Sequence, residues 1–411
     1  MNNSQIASKK AAVIGSSWVA SKKTAVILFS DGSIRYGFGF GAEGISSGEV
    51  CFNTSITGYQ EIISDPSYAK QIVTFTFPHI GNVGANHEDI ETSNLDKKIH
   101  IAGVITHSII KTPSNYRADL TLSEWMSKNR IIGISGIDTR FLTKTIRDKG
   151  MMNCVIEYRK TGIFDLENLN KILKKVKNME GLDLASHATT KETYSSDLKS
   201  WEWELGFVKN EKKTKKVALI DYGIKSNIIR MLNTLNCETK IFPADSDIET
   251  IMHFQPDGVL LSNGPGDPHA TINYSVSLIR EIIKKNIPIF GICLGHQILA
   301  LALGAKTVKM SFGHHGGNHP VLDLNSQKVF ITSMNHGFTV DKNTLPDDII
   351  ETHTSLFDGS NCGIEVSNKS IFSVQFHPEA SPGPQDCYHL FEKFIENMKA
   401  YSRKMNNAKK N

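Results

Sequence analysis

Hydrophobic residues along this chain are grouped in two ways, and the change falls near its middle. Short β-rich runs dominate the first half. Thr24 to Ser30 (TAVILFS) is a continuous apolar run that predicts a buried strand, and Asp31-Gly32 predicts a hairpin turn into a second strand over Ile34 to Phe40. Further strands are predicted over Glu49 to Asn53, Gln71 to Phe77 and His100 to His107, with Gly and Pro between them. Leu122 to Asn129 and Asp138 to Asp148 read as helices, with Asp138 as N-cap of the second. A mixed, strand-rich domain is expected over residues 24–191.

From Lys216 strands alternate with helices. Strands are expected at Val217 to Asp221, Lys240 to Phe242, Gly258 to Leu261 and Pro288 to Ile292. Helices are expected at Asn227 to Leu235, Ile248 to Phe254, Ser275 to Lys285 and Leu294 to Leu303. This alternation predicts a doubly wound parallel sheet over residues 217–403, so the fold class is α/β, with the strand-rich domain in front. Sites in such sheets gather at the carboxyl ends of the strands. Residues 192–216, with Ser195, Ser196 and Asp197 ahead of Trp201, Trp203 and a lysine cluster, read as a linker. Tails are expected over 1–23 and 404–411.

The chain's 411 residues are too many for one average core, which agrees with two domains. The net charge of +4 owes much to terminal lysines (Lys9, Lys10, Lys22, Lys23, Lys409, Lys410), so no nucleic-acid face is expected. No apolar run approaches the roughly 20 residues that span a bilayer, so no membrane partner is expected. The six cysteines include no CxxC pair and suggest a reducing compartment: cytoplasm, or alternatively a plastid stroma. The acid-free, Ser-, Ala- and Lys-rich start reads as a disordered tail, with a transit peptide as the alternative; Ala11 to Gly15 is too short for a secretory core.

Two motifs are set aside. Gly39-Phe40-Gly41-Ala42-Glu43-Gly44 matches GxGxxG, but turn and strand follow it where a dinucleotide site needs a helix. The histidines of Gly313 to His319 lack a cysteine or acidic partner at ligand spacing, so a turn-rich loop is the better reading and no metal is expected.

The chemistry lies in the second half. An apolar strand runs into Gly291-Ile292-Cys293-Leu294-Gly295 and a helix leaves it, the layout of a nucleophile elbow. The Cys293 sulfur would sit at a helix N-terminus, which favours an anion, with the Leu294 N–H aimed at a forming oxyanion. Alone, this pattern also fits a buried structural cysteine. A second apolar strand delivers His377, followed by Pro378 and Glu379: a base and a group to orient it. Alone, His377 also fits a surface histidine. Leu261-Ser262-Asn263-Gly264-Pro265-Gly266-Asp267-Pro268 ends another strand and can present N–H groups to a ligand, or be a plain turn. Met334 to Phe338 reads as a fourth loop.

Together GICLGHQ, LSNGPGDP, NHGF and FHPEA resemble the class I, triad-type glutamine amidotransferases from about Lys216 onward. The first half narrows this. Gly48 to Glu61 (GEVCFNTSITGYQE), Ser64 to Tyr68, Phe77 to Asn82 and Gly136 to Arg140, with Phe312 to Pro320 and Ala380 to Pro384, are similar to the small-subunit family of carbamoyl phosphate synthetases. Residues 160–212 add little to the match. The resemblance implies a triad of Cys293, His377 and Glu379 acting on L-glutamine through a thioester. It implies glutamine contacts at Ser67, Gly264, Gly266, Leu294, Gln297, Asn335, Gly337 and Phe338. It also implies a separate large synthetase subunit as partner in a heterodimer or higher assembly. That subunit would receive ammonia through a tunnel, carry the ATP and Mg sites, and make carbamoyl phosphate from bicarbonate for arginine and pyrimidine biosynthesis. No cofactor is implied for this chain, which agrees with its lack of a GxxxxGK[ST] loop. Two rivals stand beside this reading. One is the small subunit of another synthase such as anthranilate synthase, which would lack the first half. The other is a non-catalytic glutamine sensor, which would need no triad.

Overall fold

The computed structural model describes residues 22–93 and 98–408. Of the tail expected over 1–23, only Lys22 and Lys23 fall within the described residues.

Seven strands close the first half into a barrel: β1 (Ala25–Phe29), β2 (Ile34–Gly41), β3 (Gly44–Asn53), β4 (Gln71–Phe75), β5 (Gly103–Ile105), β6 (Ile132–Ser135) and β7 (Met152–Tyr158). Their spatial order is β1-β2-β6-β5-β4-β3-β7, and β7 pairs back to β1. Helices α1 (Tyr59–Ser64), α2 (Leu122–Lys128), α3 (Thr139–Lys149), α4 (Leu166–Leu173) and α5 (Ala185–Ala188) accompany them. β1 shows why its sequence is an unbroken apolar run. Ala25, Ile27 and Phe29 enter one core cluster, while Val26 and Leu28 join Leu169 and Leu173 of α4 on the other face. Side chains alternate across a strand, so burying both faces removes the polar positions. Gly39 belongs to this packing: a Cβ there would stand 2.0 Å from the Tyr158 ring. The glycine motif thus links the end of β2 to the start of β3, strands that do not pair with each other, and is fitted against an aromatic ring. Asp138 caps α3 as expected, accepting from the Phe141 N–H at 2.9 Å.

The stretch expected as a linker is ordered. It holds β8 (Tyr194–Ser196), β9 (Leu198–Glu202) and β10 (Gly206–Lys209), followed by β11 (Lys215–Asp221), α6 (Ser226–Thr234) and β12 (Cys237–Pro243). β8 adds antiparallel to β12, and β9–β10 is a hairpin on α6. Polar side chains make these joints. Asn233 Nδ2 donates to the Ser196 and Leu198 carbonyls at 3.0 Å, and the Ser200 N–H donates to Thr234 Oγ1 at 2.9 Å. Strands held this way carry little hydrophobic signal.

The second half continues through α7 (Ile248–His253), β13 (Gly258–Leu261), α8 (Ile272–Lys284), β14 (Ile289–Ile292), α9 (Leu294–Leu303), β15 (Lys306–Asp323), β16 (Val329–Asp341), β17 (Ile349–Ser355), β18 (Asn361–Val366), β19 (Ile371–Val374) and α10 (His389–Ala408). The tail expected from residue 404 is therefore helical backbone to Ala408. Strands β12, β11, β13, β14 and β19 are neighbours and parallel. Alternate residues of β11 enter two cores, Val217 and Leu219 beneath α6 and α10, Ala218 and Ile220 beneath α8 and α9. The sheet is larger than a purely parallel one, because β18, β17, β15 and β16 extend it antiparallel. The glycine- and histidine-rich segment read as a loop lies in β15, and Met334 to Phe338 lies in β16. Register breaks between Lys309 and His314 and between Gly316 and His319 let a long ribbon use residues that look like turns. Among the described residues no helix is long and apolar enough to cross a membrane.

A buried acid joins the halves. Glu91 Oε2 accepts from the Asn227 N–H at 2.9 Å, at the N-terminus of α6, and Oε1 accepts from Ser381 at 2.6 Å and Arg230 at 3.3 Å. A carboxylate at a helix N-terminus is favourable, and this one comes from the other half of the chain. Glu91→Ala strands Arg230 and the helix N–H, so urea unfolding should show a loss of about 3–5 kcal/mol; a loss within about 0.5 kcal/mol would match an ordinary surface position instead.

Candidate active site

Cys293 stands where β14 ends and α9 begins. It is 2% exposed and holds φ 53°, ψ −104°, a conformation that is strained for any residue with a Cβ. Its N–H is tied to the Val374 carbonyl at 2.9 Å. The flanking glycines are needed for space. A Cβ on Gly295 would lie 2.2 Å from the Leu261 carbonyl oxygen, and one on Gly291 would lie 2.9 Å from that of Gly295. The strain is carried by Cys293 itself, whose sulfur lies 3.5 Å from the Asn335 carbonyl oxygen.

His377 follows β19 and is pinned by its N–H to the Ser333 carbonyl at 2.9 Å. Its Nδ1 meets Glu379 Oε1 at 2.6 Å, which leaves Nε2 as the ring's other nitrogen. Burial alone would depress the imidazole pKa. The Glu379 carboxylate and then the Cys293 sulfur outweigh it and hold the ring up at about 10. Glu379 is fully buried. Burial would raise it, but the Lys225 ammonium and the His377 ring bring it down to about 2. Lys225 Nζ donates to Glu379 Oε1 at 2.9 Å and to the Ala380 carbonyl at 2.5 Å.

These shifts set a pH window. His377 has a folded pKa above its ordinary 6.5, so its charge stabilises the fold fully below pH 6.5, and that contribution is lost as pH rises through about 10. Glu379 is depressed from 4.5, so its contribution is present above pH 4.5 and lost as pH falls through about 2. The stability gap between the wild type and His377→Gln should therefore be widest between pH 4.5 and 6.5 and shrink toward pH 10. Urea midpoints read it; a gap constant from pH 6.5 to 10 would contradict the charged ring.

Around the sulfur the fold gathers most of the expected contacts. Ser67, Gly264, Gly266 and Gln297 line one cavity with Cys293, and Asn335, Gly337 and Phe338 close it. Ser67 comes from the barrel half and accepts from Asn263 Nδ2 at 2.9 Å, so the cavity straddles the domain junction. Leu294 turns its side chain into the core beneath α8 and is not among the residues that line the cavity. Gln297 Nε2 is held by the Phe338 carbonyl at 2.7 Å and by Gln375 Oε1 at 3.0 Å.

Several participants went unseen in the sequence. Gln375 Nε2 donates to the Cys293 sulfur at 3.8 Å, and Asp65 faces Asn335 Nδ2 at 3.5 Å. Glu49 and Lys309, paired at 2.8 Å, also line the cavity. Lys225 did leave a trace: a lysine just before α6 opposes the helix macrodipole, and such a placement calls for a strong acidic partner.

Two family models match the sequence. "Glutamine amidotransferase class-I" covers residues 218–397, and "Carbamoyl-phosphate synthase small chain, CPSase domain" covers residues 27–156. A protein of Bradyrhizobium diazoefficiens named carbamoyl phosphate synthase small chain is 54% identical over 93% of this chain and 96% of its own. Those of Mesorhizobium japonicum and Rhizobium meliloti, under the same name, are 51% and 52% identical, each over 92% of this chain and 95% of its own.

Proposed function

Since the chain belongs to the carbamoyl phosphate synthase small-chain family, we propose that it hydrolyses L-glutamine at Cys293 and delivers the ammonia to a large synthetase subunit. The observation that carries this is the buried series Lys225–Glu379–His377 running to a sulfur in a strained strand-to-helix turn.

In the cycle we propose, Cys293 acts as a thiolate beside the protonated His377 ring. The sulfur attacks the side-chain amide carbon of glutamine. The Leu294 N–H and the Gly264–Gly266 loop face the developing oxyanion. His377 gives its proton to the nitrogen, the C–N bond breaks and ammonia leaves a thioester. His377 then takes a proton from water, whose oxygen attacks the thioester, and glutamate departs as the sulfur regains its first state. Ser67 and Gln297 hold the amino-acid end. No cofactor enters these steps. ATP and Mg belong to the partner, which would complete carbamoyl phosphate for arginine and pyrimidine biosynthesis in the cytoplasm.

A diazoketone analogue of glutamine tests the assignment. Peptide mass spectrometry should find one adduct, on Cys293, with formation slowed by glutamine. Inactivation with Cys293 unmodified would remove it.

A further inference from the structure

The cavity at Cys293 measures about 30 Å³, room for about two waters and far less than an amino acid needs. Next to it lies an outer basin of about 390 Å³. Glu49 and Met179 line both spaces, so they form the wall between them.

The two sides of that wall differ. Met179 is 7% exposed and packs inward with Ala69, Leu184 and Phe338. Its segment is braced across the glycine loop: the Gly181 N–H donates to Asp267 Oδ2 at 2.8 Å, and the Asp267 N–H donates to the Leu182 carbonyl at 3.0 Å. Gly266 is required beneath it, because a Cβ there would lie 2.7 Å from the Leu182 oxygen. Gly181 itself has φ +78° with nothing within 4 Å of a would-be Cβ, so the turn faces open space. The outer side carries Lys70, Lys175 and Lys177, all exposed, with Asp183 on the same rim. At the wall Glu49 is 5% exposed; one carboxylate oxygen is held by Lys309, and the other is buried without a hydrogen-bond partner among the described residues. A carboxylate end would meet the lysines first, and an ammonium end would find Asp183 and the spare oxygen of Glu49.

We infer that the outer basin is the antechamber through which a zwitterionic α-amino acid reaches Cys293, with the Met179 side chain as the gate between them. This rests on the reading of Cys293 as the nucleophile that hydrolyses glutamine.

The test uses the full chain assembled with its synthetase partner. The triple variant Lys70→Glu/Lys175→Glu/Lys177→Glu changes exposed positions only. Its kcat/KM for glutamine should fall about three- to tenfold with kcat retained. Alkylation of Cys293 by iodoacetamide, small and uncharged, should keep its wild-type rate in that variant. Met179→Ala should raise the alkylation rate severalfold. An unchanged kcat/KM in the triple variant, or a loss confined to kcat, overturns the antechamber. A wild-type alkylation rate in Met179→Ala overturns the gate. A wild-type complex that hydrolyses no glutamine overturns the functional reading beneath both.

Discussion

Cys293→Ala, assembled with the synthetase subunit, should lower glutamine-dependent carbamoyl phosphate synthesis by at least about 10⁴-fold and leave ammonia-dependent synthesis within about twofold of the wild type. The reasoning is local. The reaction needs a bond to sulfur, which neither His377 nor Gln297 can replace. His377 meets Glu379 through Nδ1, and Gln297 is tied to Phe338 and Gln375. Ammonia supplied from solution bypasses this site. The split between nitrogen donors therefore separates a chemical role for Cys293 from a structural one, which would lower both activities together. Residual glutamine hydrolysis near the wild-type level would end the assignment. Stability offers a second readout. Cys293 sits at φ 53°, ψ −104°, where a residue with a Cβ costs about 1–3 kcal/mol. Cys293→Gly should relieve much of that while abolishing hydrolysis, so the inactive protein should be the harder one to unfold. A glycine variant no more stable than the alanine variant would mean the turn is relaxed.

What was legible in the sequence depended on how local each cue was. The strand into Cys293 is one contiguous cue and the strand into His377 with the adjacent Glu379 is another, and the fold sets His377 against Glu379 and within electrostatic reach of the Cys293 sulfur. β11, β13 and α9 were legible because both faces of the sheet are buried, which leaves long apolar runs. β15 and β16 were hidden because their bulged register uses glycine and histidine, residues that normally mark loops. β8 and β9 were hidden because a hydrogen bond from Asn233 and one to Thr234 hold them instead of apolar burial, and β10 pairs only with β9. Closure of the first half into a barrel follows from the pairing of β1 with β7, a long-range contact that no local pattern encodes. The partners supplied by the barrel, Ser67 and Asp65, reach the second half through single hydrogen bonds to Asn263 and Asn335. Their pairing is invisible until both domains are folded.

The same distance hides Lys225, which stands 154 positions before Glu379, and its removal carries the second large expected effect. Lys225→Met keeps the length of the side chain and deletes its charge. The side chain is 3% exposed, and burial alone would depress its pKa; Glu379, Asp65 and Glu91 together hold it above the usual lysine range. Without it three carboxylates share one region, and Glu379 keeps only the His377 ring as a counter-charge. Breaking such a buried pair should cost about 3–5 kcal/mol in urea unfolding. Because Lys225 acts through Glu379, activity should respond in a particular way. Loss of the ammonium raises the Glu379 pKa from about 2 toward the ordinary carboxylate range. Its contribution, present in the wild type above pH 4.5 and lost as pH falls through about 2, should then begin to fade at higher pH. The acid limb of glutamine hydrolysis should move upward in pH, with kcat/KM lowered about 10²-fold at neutrality and ammonia-dependent synthesis retained. A purely structural lysine would lower stability and leave the shape of the pH profile alone. An acid limb that coincides with the wild type would therefore show that Glu379 orients His377 without help from the lysine beneath it.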